Sequence, residues 1–214
     1  MASTENDPRR AGTIWVFDLD QPVPAVKPLI EASFSLVRKE SIPELVIAMR
    51  PATSAEIKKR FEAGRRCYVA KVESKIVTYG WVSFDEESIG ELNLLLKLFP
   101  GEAYIWNCAT LSTFQGNHLY SALLTYILED LSREKFHRVW IGADLENVAS
   151  QRGIARAGFK YIADLVVARV VALRQVWVQG RPDVEESLVA EARRAFLNNR
   201  DKVWLDARTS AASG

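Results

Sequence analysis

The sequence is poor in cysteine, has no long apolar run and carries no excess of either charge. Its two cysteines, Cys67 and Cys108, are too few for a disulfide framework, and we expect buried thiols in a reducing compartment. No segment reaches the roughly 18 consecutive apolar residues that a membrane-spanning helix needs. The 28 basic and 27 acidic residues nearly cancel, whereas broad binding to nucleic acid requires a concentrated basic face. These absences argue against a disulfide scaffold, a membrane span and a nucleic-acid interface.

The start of the chain also lacks the apolar core of a secretory signal, because residues 1–10 are mostly polar. We therefore expect a cytoplasmic protein. A length of 214 residues, 48% of them apolar, suits one well-buried core and is short for two. The expected organisation is a flexible tail at 1–12, one domain at 13–180, and a C-terminal amphipathic helix with its tail at 181–214.

A predicted strand that runs almost directly into a predicted helix is the most informative feature of the sequence. Residues 104–111 are rich in strand formers, 112–115 form a turn, and a helix is expected from about residue 116. Its apolar face recurs every four residues, at Leu119, Leu123, Ile127 and Leu131. The first N–H groups of a helix have no intrahelical partner and lie at the positive end of its dipole. The turn is therefore predicted to bind the pyrophosphate of a nucleotide-type cofactor.

The residues before this unit alternate between strand and helix patterns. Strand patterns are found at 13–19, 32–39, 67–72, 76–84 and 92–98. Short links between the later strands predict an antiparallel meander that continues into the strand at 104–111. Ser41 and Thr53 each begin a capping-box sequence, which predicts two helices.

The residues after the helix predict a return to the sheet. An apolar run at 139–145 has strand length, and a strand–helix–strand crossover favours parallel pairing with the strand before the helix. Asn147 is suited to cap a further helix, and Gly158 to end it. Residues 160–178 predict one long strand or two broken ones, and Asp183 opens a last amphipathic helix. The fold class is α+β.

Two motifs stand at the starts of the two helices that follow residue 111. Residues 110–124 combine Gln115 and Gly116 with an apolar helix, and residues 147–159 run from Asn147 to a Gly-Phe pair. The first resembles the Arg/Gln-x-x-Gly-x-Gly/Ala signature of the GNAT superfamily of acyl-CoA-dependent N-acyltransferases. The second is similar to that family's Asn-x-x-Ala/Ser…Gly-Phe helix. Their order and spacing also match, and the resemblance extends over about 33–170.

The resemblance implies a GNAT-like domain with a mixed, mostly antiparallel twisted sheet flanked by helices. It implies transfer of an acetyl or similar acyl group from acetyl-CoA, or another acyl-CoA, to a primary amine by direct attack. In the family the thioester lies in a gap between two splayed strands, and the phosphates lie at the turn. The cofactor-binding positions carried over are Cys108, Ala109, Thr110, Leu111, Gln115, Gly116, Asn117, His118, Tyr120, Ser121, Asn147 and Ser150. No metal ligand is implied.

The same resemblance points to Glu91 and Tyr104 as the catalytic residues. An alkyl amine has a pKa near 10.4, so a side chain or a water chain must accept its proton before it attacks. Related enzymes hold such a base on the strands that contain Glu91 and Tyr104. Each residue also has an ordinary interpretation, a solvated charge for Glu91 and a sheet aromatic for Tyr104. Cys108 is interpreted as a packing residue because the family attacks without an acyl-enzyme.

Three residues depart from the family pattern. His118 and Tyr120 stand where small residues are usual, and Ile154 stands where a tyrosine usually protonates the leaving thiolate. The alternative is therefore a non-catalytic GNAT-fold module that binds acyl-CoA or a protein partner. A carrier protein or aminoacyl-tRNA as donor is a weaker option, since no basic patch is present. The expected partners are a small-molecule or peptide amine and a second copy in a homodimer, with neither nucleic acid nor membrane.

Overall fold

The strand-forming segments of the sequence pair into one large sheet and a separate hairpin. The computed structural model describes residues 8–89, 94–170 and 173–197. Strands over these residues are β1 (Arg9–Asp18), β2 (Ser33–Val37), β3 (Arg66–Val72), β4 (Lys75–Ser83), β5 (Glu86–Ile89), β6 (Leu94–Lys97), β7 (Glu102–Thr110), β8 (Arg138–Asp144), β9 (Lys160–Val170) and β10 (Leu173–Gly180). The large sheet has eight strands in the order β10-β9-β1-β8-β7-β4-β3-β2, while β5 pairs with β6.

The pairing within the large sheet is antiparallel except at one position. β7 and β8 are parallel, as the strand–helix–strand crossover predicted. The other neighbours in the sheet are antiparallel. The predicted α+β class, with a mixed and mostly antiparallel sheet, is therefore confirmed.

Helices cover both faces of the sheet. They are α1 (Ile42–Ala48), α2 (Ser54–Glu62), α3 (Leu119–Arg133), α4 (Val148–Arg156) and α5 (Glu186–Phe196). α3 and α4 pack on one face, which we call the α3 face, where their apolar residues meet Phe17, Tyr68 and Val82. Side chains at the adjacent strand positions point to the opposite face of the sheet, which we call the α5 face. On that face Val16 packs with α5, and Trp81 packs with α1 and α2.

The first strand lies near the middle of the sheet. β1 is inserted between β8 and β9, and Ile14 to Phe17 are buried on both faces. The sequence predicted this strand at 13–19, but residues 9–12 of the predicted tail are part of it as well. They look polar, yet Arg10 donates a 2.7 Å hydrogen bond to Asp164 on β9. The division into 1–12, 13–180 and 181–214 otherwise stays a prediction.

The predicted antiparallel meander is wrong at one strand. β6 does not lie between β4 and β7, which pair directly with each other. A strand at that position would be buried on both faces, whereas β6 buries only alternate residues. Leu94 and Leu96 pack on the α5 face beside Phe196, so the β5–β6 hairpin covers the sheet instead of extending it.

The helix termini show which of the capping residues predicted from the sequence form a cap in the structure. Thr53 caps α2 in a full capping box, but the Ser41 side chain makes no cap hydrogen bond to α1. Asn147 caps α4 as predicted, since its Oδ1 accepts from the Ser150 N–H at 3.0 Å. α3 begins at Leu119 and not near 116, because His118 before it adopts the left-handed φ of 58°.

Candidate functional site

The two parallel strands at the centre of the sheet diverge. β7 pairs with β8 from Glu102 to Ile105, against Arg138 to Ile141, although both strands continue beyond that point. Their outer edges remain paired with β4 and β1. The facing edges are therefore freed, and a cavity of about 510 Å³ occupies the gap between them.

A β-bulge in β7 lies where the strands separate. Trp106 pairs with Trp81 and Ala109 with Tyr79, so β7 advances three residues while β4 advances two. The extra residue lies next to Asn107, whose φ of 45° is left-handed. A bulge bends its strand and inverts the alternation of side chains that follow. Here it places Trp106 on the α5 face and Cys108 on the α3 face.

A cationic side chain holds the bulge in place. Arg60 of α2 donates a 2.8 Å hydrogen bond from Nη1 to Asn107 Oδ1. Its guanidinium carbon lies 5.1 Å from the Trp81 ring centroid and 4.7 Å from that of Trp106. Across the sheet, a β-carbon on Gly80 would lie 2.9 Å from Cys108 Sγ, so only glycine leaves room for that thiol. The bulge was not predicted from the sequence, although asparagine readily adopts the left-handed region.

Tyr104 lines the cavity on the α5 face, and its predicted role near the acceptor stays a prediction. Its side chain is buried and packs edge-on against Phe196, with ring centroids 5.9 Å apart. The hydroxyl points toward Gly142 of β8, where a β-carbon would lie 3.5 Å from it. Burial raises the pKa of Tyr104 well above its usual value, so the hydroxyl stays protonated at neutral pH.

A buried carboxylate on the same wall was not predicted from the sequence. Glu87 of β5 lines the cavity with only 6% of its surface exposed. Its Oε2 accepts hydrogen bonds of 2.6 Å from Arg65 Nε and 2.6 Å from Ser83 Oγ. Ser83 Oγ in turn accepts from Trp106 Nε1 at 2.9 Å. The adjacent Glu86 is exposed, and sequence alone does not show which of two neighbouring glutamates points inward.

The α3 face of the cavity brings together four of the predicted cofactor-binding residues. These are Cys108, Tyr120, Asn147 and Ser150. The Ser150 hydroxyl donates a 3.3 Å hydrogen bond to the Tyr120 hydroxyl. Burial raises the pKa of Tyr120 and raises that of Cys108 to about 12. At neutral pH this wall therefore presents protonated groups.

Tyr120 is accommodated by a glycine in the neighbouring helix. A β-carbon on Gly153 of α4 would lie 2.5 Å from Tyr120 Cδ1, which is closer than packed carbons approach. The missing β-carbon lets α4 close on the tyrosine ring. The large residue at position 120 is therefore matched by a small one at 153.

The loop before α3 has the features of an anion site. Gly116 and His118 both adopt left-handed φ values, 82° and 58°, and the space beside Gly116 is open. The Asn117 side chain donates to the carbonyl oxygens of Phe114 and Gln115, which fixes the turn. His118 gives α3 no side-chain cap, and the first turn of the helix holds no acidic residue. Its first N–H groups are thus available to an acceptor from outside the helix.

The remaining predicted residues fall into two groups. Glu91 lies outside the described residues. The others lie not on the cavity wall but at the end of β7, in the loop and in the first turn of α3: Ala109, Thr110, Leu111, Gln115, Gly116, Asn117, His118 and Ser121. The Gln115 N–H donates to Ser112 O at 3.3 Å. Their roles in binding stay predictions.

Neither a metal cluster nor a membrane span is found in the described parts of the chain. No three His, Cys, Asp or Glu side chains among them are grouped so that they could hold a metal ion. No helix there is long and apolar enough to cross a membrane.

Comparison with known proteins gives a family match and several structural ones. Residues 32–159, more than half of the chain, match the model of the acetyltransferase (GNAT) family. No curated protein matches the sequence. A GNAT-family acetyltransferase from Colwellia psychrerythraea has 11% identity and a TM-score of 0.56, over 83% of this chain and 58% of that one. A GCN5-related N-acetyltransferase from Sphaerobacter thermophilus has 16% identity and a TM-score of 0.52, over 73% of this chain and 50% of that one. The chain therefore spans about half the length of these structures, and these likenesses show the fold.

Proposed function

The chain belongs to the GNAT acetyltransferase family, and from this we propose that it transfers an acetyl or similar acyl group from acyl-CoA to a primary amine. The divergence of β7 from β8 carries the proposal. It opens a cavity between two edges with free backbone groups, beside a helix start suited to phosphate. An extended ligand with amides in its arm and phosphates at one end fits this arrangement, because it can pair with a strand edge.

The chain's own residues divide between the two ends of such a ligand. The loop at Gly116 and the first N–H groups of α3 would hold the pyrophosphate, since they combine open space with uncapped donors. Cys108, Tyr120 and Ser150 would surround the reactive end. Bound acyl-CoA would supply an activated acyl group as a thioester.

The α5 face of the cavity suits the amine. Among the described residues that line the cavity, Glu87 and Asp144 are acidic and none is Lys, Arg or His. Because Glu87 is ion-paired with Arg65, the negative charge on this wall comes mainly from Asp144. That charge favours a cationic acceptor, which must lose a proton before it attacks. Because the Tyr104 hydroxyl stays protonated, it would not itself accept the proton of the amine. It would instead orient the amine, or pass the amine's proton through water to a carboxylate. The assignment of Glu91 as that carboxylate is also part of the proposal.

Cys108 supports direct attack over an acyl-enzyme. Its pKa is raised to about 12, so its thiol is protonated at neutral pH and is a poor nucleophile. The thiol also donates a 3.6 Å hydrogen bond to the Trp106 carbonyl oxygen.

Isothermal titration with acetyl-CoA tests the binding half of the proposal. Saturable binding supports it, and absence of heat at millimolar ligand would refute it.

The catalytic half is tested by thiol release over a panel of small amines and peptides. Release that falls in Tyr104→Phe and Glu91→Gln supports catalysis by these residues. Binding without release from any amine would instead favour the non-catalytic module. A cytoplasmic location and a homodimer are further parts of this proposal.

A further inference from the structure

One edge of the large sheet is a long and regular strand. β10 is the last strand at that edge, and none of the described strands pairs with its outer side. It pairs with β9 over all of its eight residues without a bulge. Native proteins usually protect such an edge with a proline, a lysine, a bulge or a very short strand. β10 has none of these features, whereas β2 at the opposite edge has only five residues.

The ladder between β9 and β10 shows which backbone groups face outward. The Arg181 N–H donates a 3.0 Å hydrogen bond to Ile162 O, in the same register as the rest of the pair. Alternate residues of an antiparallel strand direct their N–H and C=O groups to the same side. The backbone groups of Trp177 therefore face β9, and those of Val178 face outward. In agreement with this, Val178 O accepts from the side chain of Arg193 on α5 at 3.4 Å, which uses one of its two lone pairs.

The sequence of this edge reads the same in both directions. Residues 175–179 are Gln-Val-Trp-Val-Gln. A two-fold axis perpendicular to the sheet would pair the strand with its own copy in antiparallel orientation, as an isologous interface requires. Side chains directly opposite each other share a face, so the axis must pass through a residue and not between two. With the axis at the central residue every side chain faces its like: Trp177 opposite Trp177, Val176 opposite Val178 and Gln175 opposite Gln179.

This pairing suits the side chains on both faces of the sheet. Val178 is buried and Val176 is partly buried on the α5 face, so a second copy would extend the same apolar layer. Trp177 points to the opposite face and is partly exposed. Because its backbone groups face β9, the two tryptophans would form a non-hydrogen-bonded pair, in which side chains lie closest. Aromatic and β-branched cross-strand pairs stabilise a sheet, and no charge within 175–179 opposes them.

We propose that two copies of this chain associate through β10 about a two-fold axis at Trp177. The two eight-stranded sheets then join into one continuous sheet. Val176 exchanges backbone hydrogen bonds with the partner's Val178, and Val178 with the partner's Val176. Of the proposed function, this inference rests only on the homodimer, because neither acyl-CoA binding nor catalysis enters the argument.

Disulfide cross-linking tests the position of the axis. The Cα atoms of a non-hydrogen-bonded pair are about 4.5 Å apart, within the range that a disulfide spans. Trp177→Cys should therefore give a disulfide-linked dimer under mild oxidation, seen on a non-reducing gel. Val176→Cys is the matched control, because the two substituted positions would lie diagonally, about 7–8 Å apart, and should not link. The unsubstituted protein, which keeps Cys67 and Cys108, gives the background.

A mixture of two variants tests the same register independently. Gln175→Cys and Gln179→Cys should each stay unlinked alone, because neither position faces its own copy. Mixed together, they should form a linked heterodimer. Linkage of Val176→Cys without linkage of Trp177→Cys, or no linkage of either Trp177→Cys or the mixture, would overturn the inference.

Light scattering measures the association in solution. At micromolar concentration the wild-type protein should have twice the chain mass of 24.1 kDa. Val176→Pro removes an outward N–H from each copy and should raise the dimer Kd by about 100-fold, with an unchanged circular dichroism spectrum because the β9 ladder keeps its donors. Trp177→Lys places two like charges at the axis and should have a similar effect. Mixing it with Trp177→Glu should restore a dimer.

The results separate the failure of this interface from the failure of the proposed function. A wild-type protein that stays monomeric would overturn this inference and the homodimer, while the titration with acetyl-CoA decides the acyl transfer independently. A dimer that persists in Trp177→Lys would place the interface elsewhere and overturn this inference alone. Should Val176→Pro fail to fold, the mixture of Trp177→Lys with Trp177→Glu still decides, since absence of a heterodimer would overturn the inference.

Discussion

Arg60 Nη1 donates a 2.8 Å hydrogen bond to Asn107 Oδ1 and thereby ties α2 to the bulge in β7. The two residues are far apart in sequence, and the contact reaches the point at which β7 leaves β8. Stacking of the guanidinium over Trp81 and Trp106 keeps it there. The opening of the cavity is therefore supported by a helix that contributes no wall to it.

Removing the Arg60 side-chain charge should loosen the bulge. Arg60→Leu loses a charged hydrogen bond and two ring contacts, and we expect a loss of about 1–2 kcal/mol in unfolding free energy. We also expect weaker binding of acetyl-CoA. Chemical denaturation and titration measure the two effects. Lys59→Leu, at the exposed neighbouring position, is the control, and equal behaviour of the two variants would contradict the role of Arg60.

Gly116→Ala should weaken cofactor binding more than it weakens the fold. Its φ of 82° is unfavourable for alanine, at about 1–2 kcal/mol, although the space for a β-carbon is open. Gly64 has a φ of 76° and the same open space, but it follows α2, away from the cavity. Gly64→Ala should therefore show the same loss of stability with unchanged acetyl-CoA affinity. A similar Kd for the two variants would place the phosphates elsewhere.

His118→Gly should increase the affinity for acetyl-CoA. The histidine has a φ of 58°, which costs about 1–2 kcal/mol in a residue with a β-carbon. Glycine removes that strain but loses about 0.5–1 kcal/mol to its freer unfolded chain. The expected change in stability is therefore a gain of between about 0 and 1.5 kcal/mol. Titration should show a several-fold lower Kd, because the backbone becomes more accessible. A higher Kd would mean that the imidazole itself binds the phosphate.

Alkylation of Cys108 should be slow and strongly dependent on pH. With a pKa of about 12, roughly one thiol in 10⁴ is ionised at pH 8, and the thiolate fraction rises tenfold with each pH unit. The iodoacetamide labelling rate, followed by peptide mass spectrometry, should therefore still be rising at pH 10. Saturating acetyl-CoA should protect the thiol. A rate that levels off below pH 9 would reveal a reactive thiolate and reopen an acyl-enzyme route.

The parts of the fold that sequence predicted are those fixed by local chemistry. The apolar stripe of α3 is buried at Leu119, Leu123, Ile127 and Leu131. Asn147 caps α4, and Gly158 ends it with a φ of 90°. Each of these depends on residues within one or two turns of the chain. Local patterns therefore identified the helices beside the site.

The parts that sequence did not predict depend on partners distant in the chain. The bulge at Asn107 exists only in relation to the register of β4, and Gly80 shows its purpose only once Cys108 is known to face it. Glu87 is an inward residue because the hairpin packs on the α5 face. Tyr120 looked like an obstacle in the motif, but Gly153, thirty-three residues later, accommodates its ring. Such relationships are set by tertiary packing.

The central position of β1 has a consequence for how the protein is made. This strand leaves the ribosome well before its pairing partners β8 and β9, and Arg9 pairs with Val167. Until β8 has emerged, β1 has no strand to pair with, and one of its edges stays unpaired until β9 has emerged as well. Contacts so distant in sequence form slowly. The sheet cannot be completed while the first half of the chain is being translated. A nascent chain stalled before residue 160 should therefore be sensitive to protease and attractive to chaperones that bind exposed apolar strands.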